Sequence, residues 1–272
     1  YADAYNNLGT ILQEGSNLDK AIVNYKLAIK HNPNHARAHS NLGTTLQEKG
    51  NTEEAVSHCR QAVTLDPDRA ELHNNLGAIL QKQERIEEAI TCYDMAIELE
   101  PEYAEAHLNR SFALLLIGNY KDGWIENKWR LQAKAHRLRK FNKPQWDGSP
   151  LNGKTILIHA EQGFGDTIQF IRYLPMVQAQ GGNVVFECHK SLIRLLRNYE
   201  GIDKLIERVP KPDIEFDTQL PILSLPGIFD TTADSIPSDT PYITSDQGLS
   251  QLFSLRFGTD YNFKIGIAWA GN

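Results

Sequence analysis

From Tyr1 to about residue 137 the apolar positions recur at helical spacing, inside a frame that itself repeats. Leu8, Leu42 and Leu76 stand 34 residues apart, and so do Gly9, Gly43 and Gly77. Ala21, Ala55 and Ala89 keep the same step, as do Ala28, Ala62 and Ala96, and Pro33, Pro67 and Pro101. Each period predicts two amphipathic helices joined by a turn such as Glu14-Gly15-Ser16-Asn17 or Lys49-Gly50-Asn51. Proline cannot continue a helix, so it closes each unit. A helical glycine costs ~1 kcal/mol against alanine, so its recurrence predicts a packing role. Gly9 and Ala21 on facing helices are expected to let two backbones approach. The units are 2–35, 36–69, 70–103 and a degenerate 104–137. In the last, Arg110-Ser111 replaces Leu-Gly, Gly123 replaces Ala, and Trp124 and Trp129 follow. Terminal repeats are atypical because one face meets something other than another repeat, here expected to be the next domain.

After residue 153 the period changes. Thr155–His159 has the length and β-branched content of a buried strand, and further strands are expected over 183–188, 204–208 and 216–222. Helices are expected over 167–180, 190–198 and 246–257. This alternation predicts a parallel sheet with crossover helices. Six of the twelve prolines fall between Pro210 and Pro241, so regular structure there should be short. Phe263–Trp269 reads as a fresh buried strand. The expected organisation is a helical superhelix over 1–137, a linker over 138–153, a Rossmann-like α/β lobe over 154–262, and the first strand of a further lobe over 263–272. The chain opens in mid-pattern, so additional repeats are expected upstream of Tyr1, and a second sheet lobe is expected beyond Asn272.

Composition narrows the chemistry. A formal net charge of -6 argues against a general nucleic-acid binder. Cys59, Cys92 and Cys188 are widely spaced, as suits buried thiols in a reducing compartment. No apolar run approaches the ~18 residues of a membrane span, and no signal peptide opens the chain. A cytoplasmic location is the expectation.

Asn7, Asn41, Asn75 and Asn109 also recur every 34 residues. An amide offers a donor and an acceptor, so such a ladder can grip a peptide main chain without reading its sequence. A bond to a neighbouring turn is the structural alternative. His39, His73 and His107 share the period; helices ~8–10 Å apart are too distant for one ion to bridge repeats, which favours packing. Asp66-Pro67-Asp68 falls on the proline turn and reads as a turn. Arg137, Arg139, Lys140 and Lys143 form a basic cluster before Pro144–Pro150, a solvated linker or a contact for a ligand phosphate.

Gly163 and Gly165 break the first strand before Asp166-Thr167, which places a glycine loop outside the strand's carboxyl end. Gly163-x-Gly165 with Glu187 imitates a dinucleotide fingerprint. Ile168 stands where its third glycine belongs, and Asp166 would oppose a pyrophosphate at the helix start. Asp166 with Gln169 could also form a capping-box-like pair.

The 34-residue units resemble the tetratricopeptide repeat, and the asparagine ladder resembles the repeats of O-GlcNAc transferase. The runs Glu161–Pro175, Trp146–Thr155 and Ile265–Asn272 resemble bacterial repeat-containing glycosyltransferases, whose catalytic part is similar to the heptosyltransferases of two-lobed GT-B fold. This resemblance implies an inverting transferase with a sugar nucleotide as donor and no metal or other cofactor. It gives Asp166 the role of general base. By position alone, His159 and Glu161 are candidates to contact acceptor or sugar, with a core histidine as the alternative for His159, and Gln162, Gly163, Gly165, Thr167 and Gln169 are candidate neighbours of the substrate. The resemblance also implies a polypeptide held by Asn7, Asn41, Asn75 and Asn109. The donor site lies mostly in the second lobe, so this length of chain alone is expected to be inactive. The competing expectation is a non-catalytic peptide-binding scaffold with a degenerate transferase lobe.

Overall fold

The computed structural model describes residues 1–133, 139, 141–161, 163–210, 212–244, 248 and 250–252. They form two compact units, residues 1–142 with 224–236, and residues 143–223 with the chain from 237 onward.

The first unit is built of helix pairs: α1 (Ala2–Glu14) with α2 (Leu18–His31), α3 (Ala36–Glu48) with α4 (Thr52–Leu65), α5 (Ala70–Lys82) with α6 (Ile86–Leu99), and α7 (Ala104–Leu116) with α8 (Tyr120–Asn127). Each second helix packs on the first helix of the next pair, and the first helices α1, α3, α5 and α7 also touch in succession. One continuous core runs through Tyr25, Leu42, Leu46, Leu76, Leu80 and Tyr93 with Ala21, Ala55 and Ala89.

The recurring glycines do pack closely, but against a different partner from the one expected. A Cβ on Gly9 would lie 2.6 Å from the Tyr25 ring, and one on Gly77 would lie 2.6 Å from the Tyr93 ring. Ala21 is not among the nearest neighbours of Gly9. At Gly43, where Cys59 is smaller than tyrosine, backbone comes close as well, with the Ala55 carbonyl 2.9 Å from the corresponding point. The histidines have a structural partner: His39, His73 and His107 bond through Nε2 to the carbonyls of Pro33, Pro67 and Pro101 at 3.1, 2.7 and 2.9 Å. Each ties a first helix to the proline turn before it. Asp66 lies in such a turn, following α4, and accepts from Arg69 Nε at 2.7 Å.

In the last pair Ser111 and Asn127 occupy the glycine and tyrosine places, and Asn127 Nδ2 donates to Ser111 Oγ at 3.1 Å. α8 ends early in a 3-10 turn over Lys128–Leu131. The outer surface of this pair is covered by a later stretch of chain, residues 224–236, which the sequence assigns to the sheet lobe. Trp124 Nε1 donates to the Thr231 carbonyl at 2.7 Å, and Arg130 Nη2 to Ser224 Oγ at 2.6 Å.

The second unit holds a small four-stranded parallel sheet of β1 (Thr155–His159), β2 (Asn183–Cys188), β3 (Lys204–Glu207) and β4 (Thr218–Pro221), in the order β3-β2-β1-β4. The register sets Ile158 beside Phe186 on one side and Leu220 on the other. Consecutive residues 156–159 of β1 are all buried, as a strand covered on both faces requires. The segment expected as helix 167–180 begins earlier and breaks twice. It forms α9 (Phe164–Phe170), a 3-10 turn over Ile171–Tyr173, and α10 (Leu174–Gln178) with Pro175 in its first turn. α11 (Lys190–Leu196) joins β2 to β3, and α12 (Leu225–Ile228) opens the stretch that returns to the helical unit.

The expected solvated linker is partly a structural edge. Pro144 accepts from the Gln219 N–H at 3.1 Å, the Trp146 N–H donates to Gln219 at 2.9 Å, and the Trp146 side chain is buried. The backbone around Gln145 thereby pairs with the free side of β4. Arg137, Lys140 and the strand expected over 263–269 lie outside the described residues, as does most of the helix expected over 246–257.

Candidate functional site

Two places gather the polar residues singled out by the sequence. The first is the asparagine ladder on the first helices. Asn41 Nδ2 donates to Asn6 Oδ1 at 3.0 Å, Asn75 Nδ2 to Ser40 Oγ at 3.0 Å, and Asn109 Nδ2 to Asn74 Oδ1 at 2.9 Å. The partner is thus a helical residue of the preceding repeat, not a turn. Asn6, Ser40 and Asn74 are buried, whereas Asn41, Asn75 and Asn109 are half-buried and Asn7 is exposed. Among the described residues nothing donates to the Oδ1 of Asn41, Asn75 or Asn109. The inter-repeat bond fixes each amide plane and leaves its carbonyl oxygen and one amide proton open. The positions of Asn6, Ser40 and Asn74 escaped the sequence reading, although the dipeptides Asn6-Asn7, Ser40-Asn41 and Asn74-Asn75 carry their signal.

The second place is the carboxyl end of the sheet, beside the point between β1 and β4 where the strand order reverses, the usual ligand position in an open parallel sheet. Gly163 caps α9 through its backbone alone, with no side-chain cap bond. The proposed Asp166–Gln169 capping pair is therefore absent. Asp166 is half-buried in the first turn of α9, and among the described residues its carboxylate has no partner. A Cβ on Gly163 or Gly165 would meet nothing within 4 Å, so these glycines leave open space in front of the loop.

The other expected site residues are largely committed to structure. His159, 4% exposed, shares a bond with Gln219 Oε1 at 3.1 Å. Glu161 accepts from the Leu223 N–H at 3.2 Å. Thr167 Oγ1 donates to the Gly163 carbonyl at 3.2 Å. Gln162 lies outside the described residues.

Two residues unnoticed in the sequence join this edge, His189 after β2 and Arg208 after β3. Arg208 Nη1 donates to the Glu161 carbonyl at 3.2 Å and lies 3.5 Å from His189 Nε2, while the Phe164 ring meets His189 edge-on at 5.1 Å. Burial first, and then the Arg208 cation, hold His189 below its ordinary pKa. Only the tertiary pairing of β1, β2 and β3 brings these residues together. The thiols are poor nucleophiles, because burial pushes Cys59 up to about 12 and both Cys92 and Cys188 up to about 11. No group of three or more His, Cys, Asp and Glu side chains suited to a metal ion occurs among the described residues.

The helix pairs can now be set beside known families. Residues 2–35 and 70–103 match a tetratricopeptide repeat family, residues 24–57 another of the same description, and residues 45–84 the TPR repeat. Residues 2–103 are tetratricopeptide repeats. Among known proteins, FlbA of Caulobacter vibrioides is 35% identical over 75 residues, which is 26% of this chain and 13% of that protein. The chain therefore spans only a small part of the length of that relative. Two solved structures are similar to parts of the chain. Pseudomonas aeruginosa pilF shares 26% identity at TM-score 0.47, with 50% of this chain and 62% of that one covered. A mutant O-GlcNAc transferase of Thermobaculum terrenum shares 21% at TM-score 0.48, with 78% and 42% covered. Within the tetratricopeptide frame, the described asparagine bonds fall between successive repeats, where repeat arrays draw their nearest-neighbour stability. No helix among the described residues is long and apolar enough to cross a membrane.

Proposed function

We propose that the tetratricopeptide unit binds an extended polypeptide by its main chain, with Asn41, Asn75 and Asn109 as the grips. One observation carries this reading: each amide is oriented by a bond to the preceding repeat yet keeps an acceptor open at the same place in every step. Peptide N–H groups satisfy such acceptors whatever the side chains, as main-chain recognition requires. The test is peptide titration against Asn41→Ala with Asn75→Ala, beside Asn74→Ala, which removes the bond that orients Asn109 but leaves all three grip amides present. Affinity should fall at least tenfold in the first variant and much less in the second. Equal losses would reduce the ladder to a stability device.

A second reading is favoured by the Asp166 carboxylate at the sheet's carboxyl end, which has no partner among the described residues. In it, the sheet unit is the Rossmann-like first lobe of a GT-B glycosyltransferase whose acceptor is the gripped polypeptide. Asp166 would take the proton of the acceptor hydroxyl as its oxygen bonds to the anomeric carbon. The bond to the nucleotide diphosphate of the donor would break on the opposite face, inverting the centre.

A further inference from the structure

The sheet unit also carries a cleft of about 1110 Å³ whose lining includes neither Asp166 nor His159, Glu161, His189 or Arg208. It is bounded by the 3-10 turn after α9, by the end of α11, and by the chain after Pro237. Three arginines line it: Arg172, Arg194 and Arg197. The carboxylates of Glu200 and Asp239 line it as well. Yet Arg194 and Arg197 form no ion pair among the described residues, and both are exposed. Arg172 is more constrained. Its Nη1 donates to the Pro237 carbonyl at 2.7 Å, its guanidinium lies 4.2 Å over the Tyr242 ring, and its buried Nε has no acceptor among the described residues. In a chain of net charge -6, three guanidinium groups thus line one cavity with no ion pair among the described residues.

We infer that this cleft binds a small organic phosphate. Arginine presents a planar fork of donors that matches phosphate oxygens, and three such groups suit a dianion better than a single carboxylate. Tyr242 holds the Arg172 plane, which reduces the ordering cost of binding. Tyr199 and Leu195 supply apolar surface for a ring beside the phosphate, and the volume is that of a small-molecule site. The inference is independent of peptide binding by the repeats and of any role of Asp166.

Calorimetric titration of the full chain with phenyl phosphate, inorganic phosphate and phenol tests it. Phenyl phosphate should bind more tightly than inorganic phosphate, phenol should not bind, and added salt should weaken the phosphates. Arg194→Ala with Arg197→Ala should weaken phenyl phosphate at least tenfold at an unchanged melting temperature, since both side chains are exposed. Binding unchanged in that variant, or no preference for the organic phosphate, overturns the inference. A phosphotyrosine peptide bound far more tightly than phenyl phosphate would overturn it too, by assigning the cleft to a protein partner.

Discussion

Cys59 leaves the buried side-chain carbonyl of Gln47 without a hydrogen-bond donor among the described residues. In the flanking repeats a tyrosine holds the place of Cys59, and its hydroxyl reaches the equivalent glutamine: Tyr25 donates to Gln13 Oε1 at 2.9 Å and Tyr93 to Gln81 Oε1 at 2.7 Å. At Gly43 the space those rings take is occupied by Cys59 Sγ and by the Ala55 carbonyl, which comes to 2.9 Å of the Cβ position. Cys59→Tyr should therefore destabilise the repeats by about 1–3 kcal/mol, the usual cost of overpacking, against about 1 kcal/mol from the restored bond. Thermal unfolding checks this, and a raised melting temperature would show that the two helices part to admit the ring.

The reverse substitution follows from the same contact. In an open helix Gly→Ala gains ~1 kcal/mol, but at Gly77 the new methyl would overlap the Tyr93 ring. Gly77→Ala is expected to destabilise by about 1–3 kcal/mol, the usual cost of overpacking. Urea titration reads the sign directly, and a stabilised variant would contradict the packing described.

The turn within each helix pair places a positive φ at the same step, at Ser16 (58°), Gly50 (85°), Glu84 (60°) and Gly118 (82°). Left-handed backbone costs a side-chain-bearing residue about 1–2 kcal/mol. Glu84→Gly should recover part of this, offset by the entropy that glycine adds to the unfolded chain. The net expectation is a gain of up to about 1 kcal/mol in chemical denaturation, whereas Gly15→Ala, one residue before the strained Ser16, should gain nothing from this source.

The second repeat should respond to mild acid. His39 Nδ1 and His58 Nδ1 lie 3.0 Å apart, and burial, with the neighbouring imidazole contributing at His58, lowers both from the ordinary 6.5. The unfolded chain then takes up protons that the folded state resists. Stability is full above that ordinary value and declines as pH falls through it toward the lowered folded values. His58→Asn, which installs the residue found at Asn24, should flatten this decline in melting curves between about pH 7 and 5. An unaltered slope would place the proton uptake elsewhere.

For the sheet unit, Asp166→Asn in the full-length protein should leave melting unchanged, since that carboxylate anchors nothing among the described residues. If Asp166 acts as general base, sugar transfer should drop by roughly 10²–10⁴-fold. Near-normal transfer would return the loop to a structural role.

The repeat period, the proline turns, β1, β2 and the glycine loop were legible in the sequence because each rests on local chemistry. Helical spacing, proline's fixed φ and β-branched runs act within a few residues. The partners that complete these elements lie far along the chain, and only the tertiary structure decided them. Gly9 faces Tyr25 instead of Ala21, because ring size rather than backbone approach fills the gap between the helices. The Asn41, Asn75 and Asn109 amides bond one repeat back, a pairing set by how neighbouring repeats stack. His189 and Arg208 reach the sheet's carboxyl end through the register of parallel strands, and residues 224–236 leave the sheet unit to cover Trp124. Periodicity can name the faces of an element, but which surfaces meet is fixed by packing between elements distant in sequence.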